Sequence, residues 1–217
     1  MAVAVFDVDS STVQNSVETK VQIAAQKKEL RARYRTIATE QWAGAAAAKR
    51  ASAISQKLKL LLQSYQCVAG YRALASEPNL AELFGSAEIK AHCKVVYPKI
   101  ENDNIAFFET NDETKWVQNN FGLDEPSEET SRRVETDKIE AYVIPALAFD
   151  RKLVRLGRGG GYYDRILANS TALKVGVCSA AQVSDVNLPR EEHDQTLDIL
   201  VTENYLLKLE KKLEPKL

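Results

Sequence analysis

Residues 155–165 read RLGRGGGYYDR, with four glycines, three arginines, two tyrosines and an aspartate in eleven positions. Glycine lets backbone N–H groups approach a ligand with no Cβ in the way. An apolar strand over 142–149, a bare loop over 157–161 and a helix from 162 onward would form a cradle for an anion. The helix N-terminus would add partial positive charge, and Arg155 and Arg158 would add forked donors that match phosphate oxygens. Familiar fingerprints do not fit. A Walker A loop needs Gly-Lys-Ser/Thr at its end, where Tyr162 and Tyr163 stand. A dinucleotide fingerprint starting at Gly157 would need glycine at 162. Two other readings compete. One is a tight turn whose glycines supply only unusual φ angles. The other is an RNA-binding RGG segment, although such segments are normally repeated, basic and disordered.

Further charged positions extend this chemistry. Asp164 lies one turn into the helix after the loop, where a carboxylate would repel a bound phosphate unless a cation intervened. Mg²⁺ bridges carboxylate and phosphate oxygens, and Asp194, in EEHDQTLD (191–198), is the natural second ligand. Plainer roles compete here too: Asp164 as a first-turn acid that complements the helix dipole, Asp194 as a turn residue. Lys27, Arg31 and Arg35 fall at i, i+4 and i+8, a cationic stripe on one helix face. Unless that helix folds back over the loop, the stripe is only a solvated face. Glu77 follows the strand CVAGYRA, where strand ends in α/β sheets meet ligands, and Arg72 would line the same crevice. Cys93 beside His92 is no nucleophile signature, because no orienting third group is evident. Trp116 and Phe121 are candidates to cover a pocket, or simply to pack.

The elements that must position these residues are legible from periodicity. Residues 21–38 (Leu30, Tyr34, Ile37) and 40–64 are expected to be helices, and 67–73 a short buried strand. Ser76 is expected to cap a helix with Pro78 in its first turn. Residues 94–100 and 104–110 should form a hairpin, 111–138 a long surface loop, and 139–150, 173–180 and 197–202 further buried strands. Strands alternating with helices predict an α/β fold, a mostly parallel sheet with helices on its faces. One domain over 21–206 is expected, with a mobile tail over 1–20 and another over 207–217. A net charge of −1 disfavours a basic nucleic-acid or membrane-surface protein. Three scattered cysteines disfavour a disulfide scaffold, and the first 20 residues lack a secretory or transit pattern, so cytoplasmic residence is expected.

Taken together, several stretches resemble the 5-formyltetrahydrofolate cyclo-ligase family, also called methenyltetrahydrofolate synthetases. VIPALAFDRKLVRLGRGGGYYDR (143–165) resembles its proline-bearing strand and R-L-G-x-G-x-G-Y-Y-D loop. KKELR (27–31) resembles its K-x-x-L-R, YRALASEPN (71–79) its strand and glutamate, and HDQTLDILVTE (193–203) its H-D-x-x-x-D strand; YPKI (97–100) and FGLDEP (121–126) match its central segment. Pro78-Asn79 departs from the small apolar residue and acid that often follow the glutamate. The resemblance implies a three-layer fold like the NagB/ribose-phosphate isomerase/CoA-transferase group. It implies ATP-dependent conversion of 5-formyltetrahydrofolate to 5,10-methenyltetrahydrofolate with Mg²⁺, by a monomer without nucleic-acid or membrane partners. It implies that Lys27, Arg31, Arg155, Leu156, Gly157, Arg158, Gly159, Gly160, Gly161, Tyr162 and Tyr163 contact ATP. Arg72, Glu77 and the run from Arg158 to Tyr162 would border the folate, and Asp164 and Asp194 would hold Mg²⁺. Arg158 and Glu77 are the candidate catalytic pair. A non-catalytic nucleotide- or folate-binding member of the same fold remains a rival to this reading.

Overall fold

The computed structural model of the protein describes residues 10–102, 104–120 and 122–208, with side chains from Lys20 onward. The expected termini are therefore covered only in part. In chain order the elements are α1 (Ser10–Gln41), α2 (Ala45–Leu62), β1 (Cys67–Ala69), α3 (Ala81–Gly85), α4 (Ala87–Lys90), β2 (Lys94–Glu101) and β3 (Asn104–Glu109). There follow β4 (Trp116–Gln118), β5 (Asp124–Pro126), β6 (Arg132–Val134), β7 (Ala141–Pro145), β8 (Ala148–Asp150), β9 (Arg155–Leu156) and α5 (Tyr162–Leu167). The chain ends in β10 (Leu173–Val177), β11 (Val183–Ser184), β12 (Ile199–Val201) and β13 (Leu206–Lys208).

An eight-stranded sheet runs β13-β12-β10-β7-β1-β2-β3-β6. From β12 to β2 neighbouring strands are parallel, and β13, β3 and β6 add antiparallel margins. The pleat explains the layering, because successive side chains leave opposite faces. Ala141, Val143, Val175, Val177, Ile199 and Val201 share one core with α1, α2, α3 and α4. Tyr142, Ile144, Leu200, Ala69 and Val96 share another with Leu167 of α5 and with Phe149 and Leu153. Helices therefore cover both faces, as expected. Within α2, Ala51, Ile54, Leu58 and Leu62 form the buried stripe at helical spacing. Gly44, at φ +69°, takes the positive-φ backbone of the turn between α1 and α2.

Several expectations need correction. Helix α1 is longer than 21–38, so the expected tail over 1–20 meets helix at Ser10, while residues 1–9 lie outside the described residues. In place of a 139–150 strand there are β7 and β8, which belong to different sheets: β8 pairs with β9 and β11. The glycine loop consequently leaves this small sheet, not the large one. The 111–138 segment is no plain loop, since Trp116–Gln118 pairs with Asp124–Pro126 and β6 adds to the main sheet. Only Cys67–Ala69 of CVAGYRA is strand, and Ser76 caps nothing, because α3 begins at Ala81 behind Leu80. The first two residues of the expected C-terminal tail, Leu207 and Lys208, lie in the edge strand β13 (Leu206–Lys208) on β12; residues 209–217 lie outside the described residues.

Candidate functional site

The loop Gly157–Gly161 joins β9 to α5. Gly159 and Gly161 have φ of +112° and +64°, backbone that a side chain rarely tolerates. At Gly160 the demand is space, for a Cβ there would lie 2.6 Å from the Tyr162 ring. The helix that follows has only six residues. An anion held by this loop would therefore rely on its amides and arginines more than on a helix dipole.

Helix α1 does fold back over this loop. Tyr34, with Leu30 and Ile37, packs against Leu147, Val154, Leu156 and Leu188, which fixes the helix on the small-sheet side. Near its C-terminal end Trp42 Nε1 donates to Gln182 Oε1 at 2.7 Å. The same face then delivers its cations. Arg31 Nε donates to the Gly157 carbonyl at 3.1 Å, and its guanidinium lies beside Gly159. Lys27, one turn earlier and only 5% exposed, donates to Asp194 Oδ2 at 2.5 Å and to Glu191 Oε2 at 2.6 Å. Arg35, the third of the stripe, is exposed.

The two expected metal ligands reach the same seam from distant sequence. Asp164 accepts from Arg155 Nη2 at 2.8 Å and from the Gln195 N–H at 3.3 Å, so it neighbours Asp194. Burial pulls the Asp194 carboxyl upward, but the Lys27 hydrogen bond and the Glu191 N–H, with the charge of Lys27, hold it below its ordinary value. Among the described residues, the acidic group whose ligand atoms lie within 4.8 Å of one another is Glu191, His193 and Asp194, without Asp164. Carboxylate oxygens of this kind suit a hard divalent cation. Arg155 Nε is buried and meets no acceptor among the described residues, a donor consistent with an anion nearby.

The expected catalytic pair also meets. Arg158 Nε donates to Glu77 Oε1 at 3.0 Å and its Nη2 to Ser76 Oγ at 2.8 Å. Glu77 Oε2 accepts from the Leu74 N–H at 3.0 Å, which holds this buried carboxylate in place. Around it, burial and the Glu77 charge push the hydroxyls of Tyr71 and Tyr163 well above the ordinary phenol range, so both stay protonated.

The segment that carries Glu77 also lines a cavity of about 190 Å³, bounded by Tyr71, Arg72, Asn79, Tyr97, Gln118, Leu123 and Asp124. Arg72 lies over the Trp116 ring at 4.4 Å and reaches Asp124 at 3.4 Å, and Tyr97 meets Trp116 edge-on at 5.2 Å. Phe121 lies outside the described residues. Sequence reasoning passed over Glu191, Tyr97, Asn79 and Asp124. Only Glu191, three residues from Asp194, carried a local signal; the others converge through the β4–β5 hairpin.

Comparison with known proteins agrees with the expected family and fold. A profile of the 5-formyltetrahydrofolate cyclo-ligase family matches residues 17–203. A Schizosaccharomyces pombe protein named as a probable 5-formyltetrahydrofolate cyclo-ligase is 37% identical over 39% of this chain, and the match spans about half, 48%, of that relative. The Mycolicibacterium smegmatis 5-formyltetrahydrofolate cyclo-ligase is 30% identical over 70% of this chain and 81% of its own length. The structure of Aquifex aeolicus 5,10-methenyltetrahydrofolate synthetase superposes with a TM-score of 0.75 at 30% identity, covering 88% of this chain and 96% of that one.

Proposed function

The chain belongs to the 5-formyltetrahydrofolate cyclo-ligase family, and from that premise we propose that it converts 5-formyltetrahydrofolate and ATP to 5,10-methenyltetrahydrofolate, ADP and phosphate. The observation that carries this reading is the Arg158–Glu77 ion pair. It ties the anion loop to the segment lining the cavity, so a triphosphate on one element and a folate on the other would share a seam.

The chemistry asks for charge neutralisation and positioning. A formyl oxygen is a poor leaving group. Transfer of the γ-phosphoryl of ATP to it gives a phosphorylated formyl group and ADP; N10 then attacks the formyl carbon, closes the five-membered ring and expels phosphate. Phosphoryl transfer needs no nucleophilic side chain, only aligned reactants and compensated charge. Arg31 and the Gly157–Gly161 amides hold the phosphate chain, and Lys27 joins them. Arg158 covers the transferring group, and Glu77 orients the folate near N10. Tyr71, whose hydroxyl donates to the Pro78 carbonyl at 2.6 Å, and Tyr163, both kept protonated, add no negative charge beside Glu77. Asp164 and Asp194 would hold Mg²⁺, which when bound neutralises phosphate charge. In this reading the protein acts on small molecules as a cytoplasmic monomer, without nucleic-acid or membrane partners.

The test is direct. The protein is mixed with 5-formyltetrahydrofolate and Mg²⁺, and near-ultraviolet absorbance of the methenyl product is followed with and without ATP. ATP-dependent product supports the assignment; ligand-induced stabilisation without product would make the chain a non-catalytic binder.

A further inference from the structure

Lys27 stands where a free cation would be expected. Its ammonium bridges one oxygen of Asp194 and one of Glu191, at 2.5 and 2.6 Å. Those carboxylates belong to the cluster whose ligand atoms lie within 4.8 Å of one another. Two carboxylates so close repel unless a positive charge lies between them, and a buried ammonium is equally unstable alone. Each side therefore needs the other. Helix α1 is also held independently of this contact, because Arg31, one turn along, bonds to the Gly157 carbonyl and Trp42 to Gln182. The Lys27 side chain can thus change partner without the helix leaving.

We propose that Lys27 is a tethered counter-ion for Asp194 and Glu191 that keeps a divalent cation out until nucleotide arrives. A doubly charged ion entering alone would sit beside a fixed ammonium in a half-buried site, an arrangement Coulomb repulsion disfavours. A nucleotide carrying its cation removes the obstacle: its phosphates take the ammonium, and the carboxylates are released to the metal. Arg155–Asp164 and Arg158–Glu77 are paired in the same manner, so the charges of the site are neutralised by one another. Glu191 becomes part of the cation site in this scheme. The inference rests on the proposed use of a metal nucleotide, yet its test does not depend on turnover.

Mn²⁺ serves as the probe, read by electron paramagnetic resonance on nucleotide-free protein, with thermal melting as the check on folding. Wild type should take up Mn²⁺ weakly. Lys27→Met and Lys27→Gln should bind it roughly tenfold tighter or more, and adding Glu191→Gln to either should cancel the gain. Equal Mn²⁺ affinity in wild type and a folded Lys27 variant would overturn the proposal. If neither variant folds, wild type decides alone: Mn²⁺ without nucleotide should leave the melting temperature unchanged, and a shift as large as that given by Mn²⁺ with ATP would refute it. A gain in Mn²⁺ affinity in a protein that makes no methenyl product would leave this inference standing and remove the proposed reaction.

Discussion

Arg158 and Glu77, 81 positions apart in sequence, are joined by a 3.0 Å bond from Nε to Oε1. The glutamate is buried and its other oxygen is taken by the Leu74 N–H. The glycine loop is therefore docked on the cavity wall through one guanidinium.

Arg158→Ala removes the cation expected over the transferring phosphate. Product formation should fall by about 10²-fold or more, as for other groups aimed at developing charge. It also strands the Glu77 carboxylate, for a stability loss of about 1–3 kcal/mol. Arg158→Lys should restore much of the stability and little of the rate, because an ammonium cannot serve Glu77 and Ser76 as a fork does. Steady-state rates beside urea unfolding separate the two effects; an unchanged rate in a folded Arg158→Ala would remove the residue from the mechanism.

Gly160→Ala should injure ligand binding more than folding. Its Cβ would meet the Tyr162 ring at 2.6 Å, and that ring must move. Gly157→Ala should be milder, since the nearest atom is the tip of Arg155 at 3.4 Å. ATP affinity by calorimetry should fall in that order, with melting temperatures little changed.

The Lys27–Asp194 contact predicts acid sensitivity. A carboxyl held below its ordinary value in the fold contributes stability that is fully present above the unfolded-state value and is lost as pH falls through the folded one. That window lies below about pH 4. The melting-temperature gap between wild type and Asp194→Asn should be constant near neutrality and close on acidification through that window. A gap that does not shrink at all as the pH is lowered below about 4 would contradict the assignment.

The three cysteines should resist alkylation in the native protein. Burial pushes the Cys93 thiol up to about 11 and raises Cys67 and Cys178 as well, so little thiolate exists at pH 8. Iodoacetamide labelling followed by mass spectrometry should show slow modification until denaturant is added.

How much was legible in advance follows from the range of each signal. Helix α2 and the β2–β3 hairpin were readable because a 3.6-residue stripe, and two β-rich runs on either side of the turn residues ENDN, are local properties of the chain. The 139–150 strand was misjudged because the run from Ala141 to Phe149 is apolar without a break; nothing local says that Pro145 ends one strand and that the next pairs elsewhere. Ser76 looked like a cap by type and spacing, yet its hydroxyl accepts from Arg158, a partner that no window of sequence contains.

By itself, the sequence determined that a bare, cationic loop exists and which residue types could serve it, because glycine's freedom and arginine's charge belong to single residues. Tertiary structure alone decided which of those residues meet. It brought Lys27 to Asp194 and Glu191, Arg158 to Glu77, and Asp164 to the Gln195 amide, and it left Arg35 in solvent. The physical reason is that charges act through space, and the distances between them are set by how α1 and the small sheet pack on the large one.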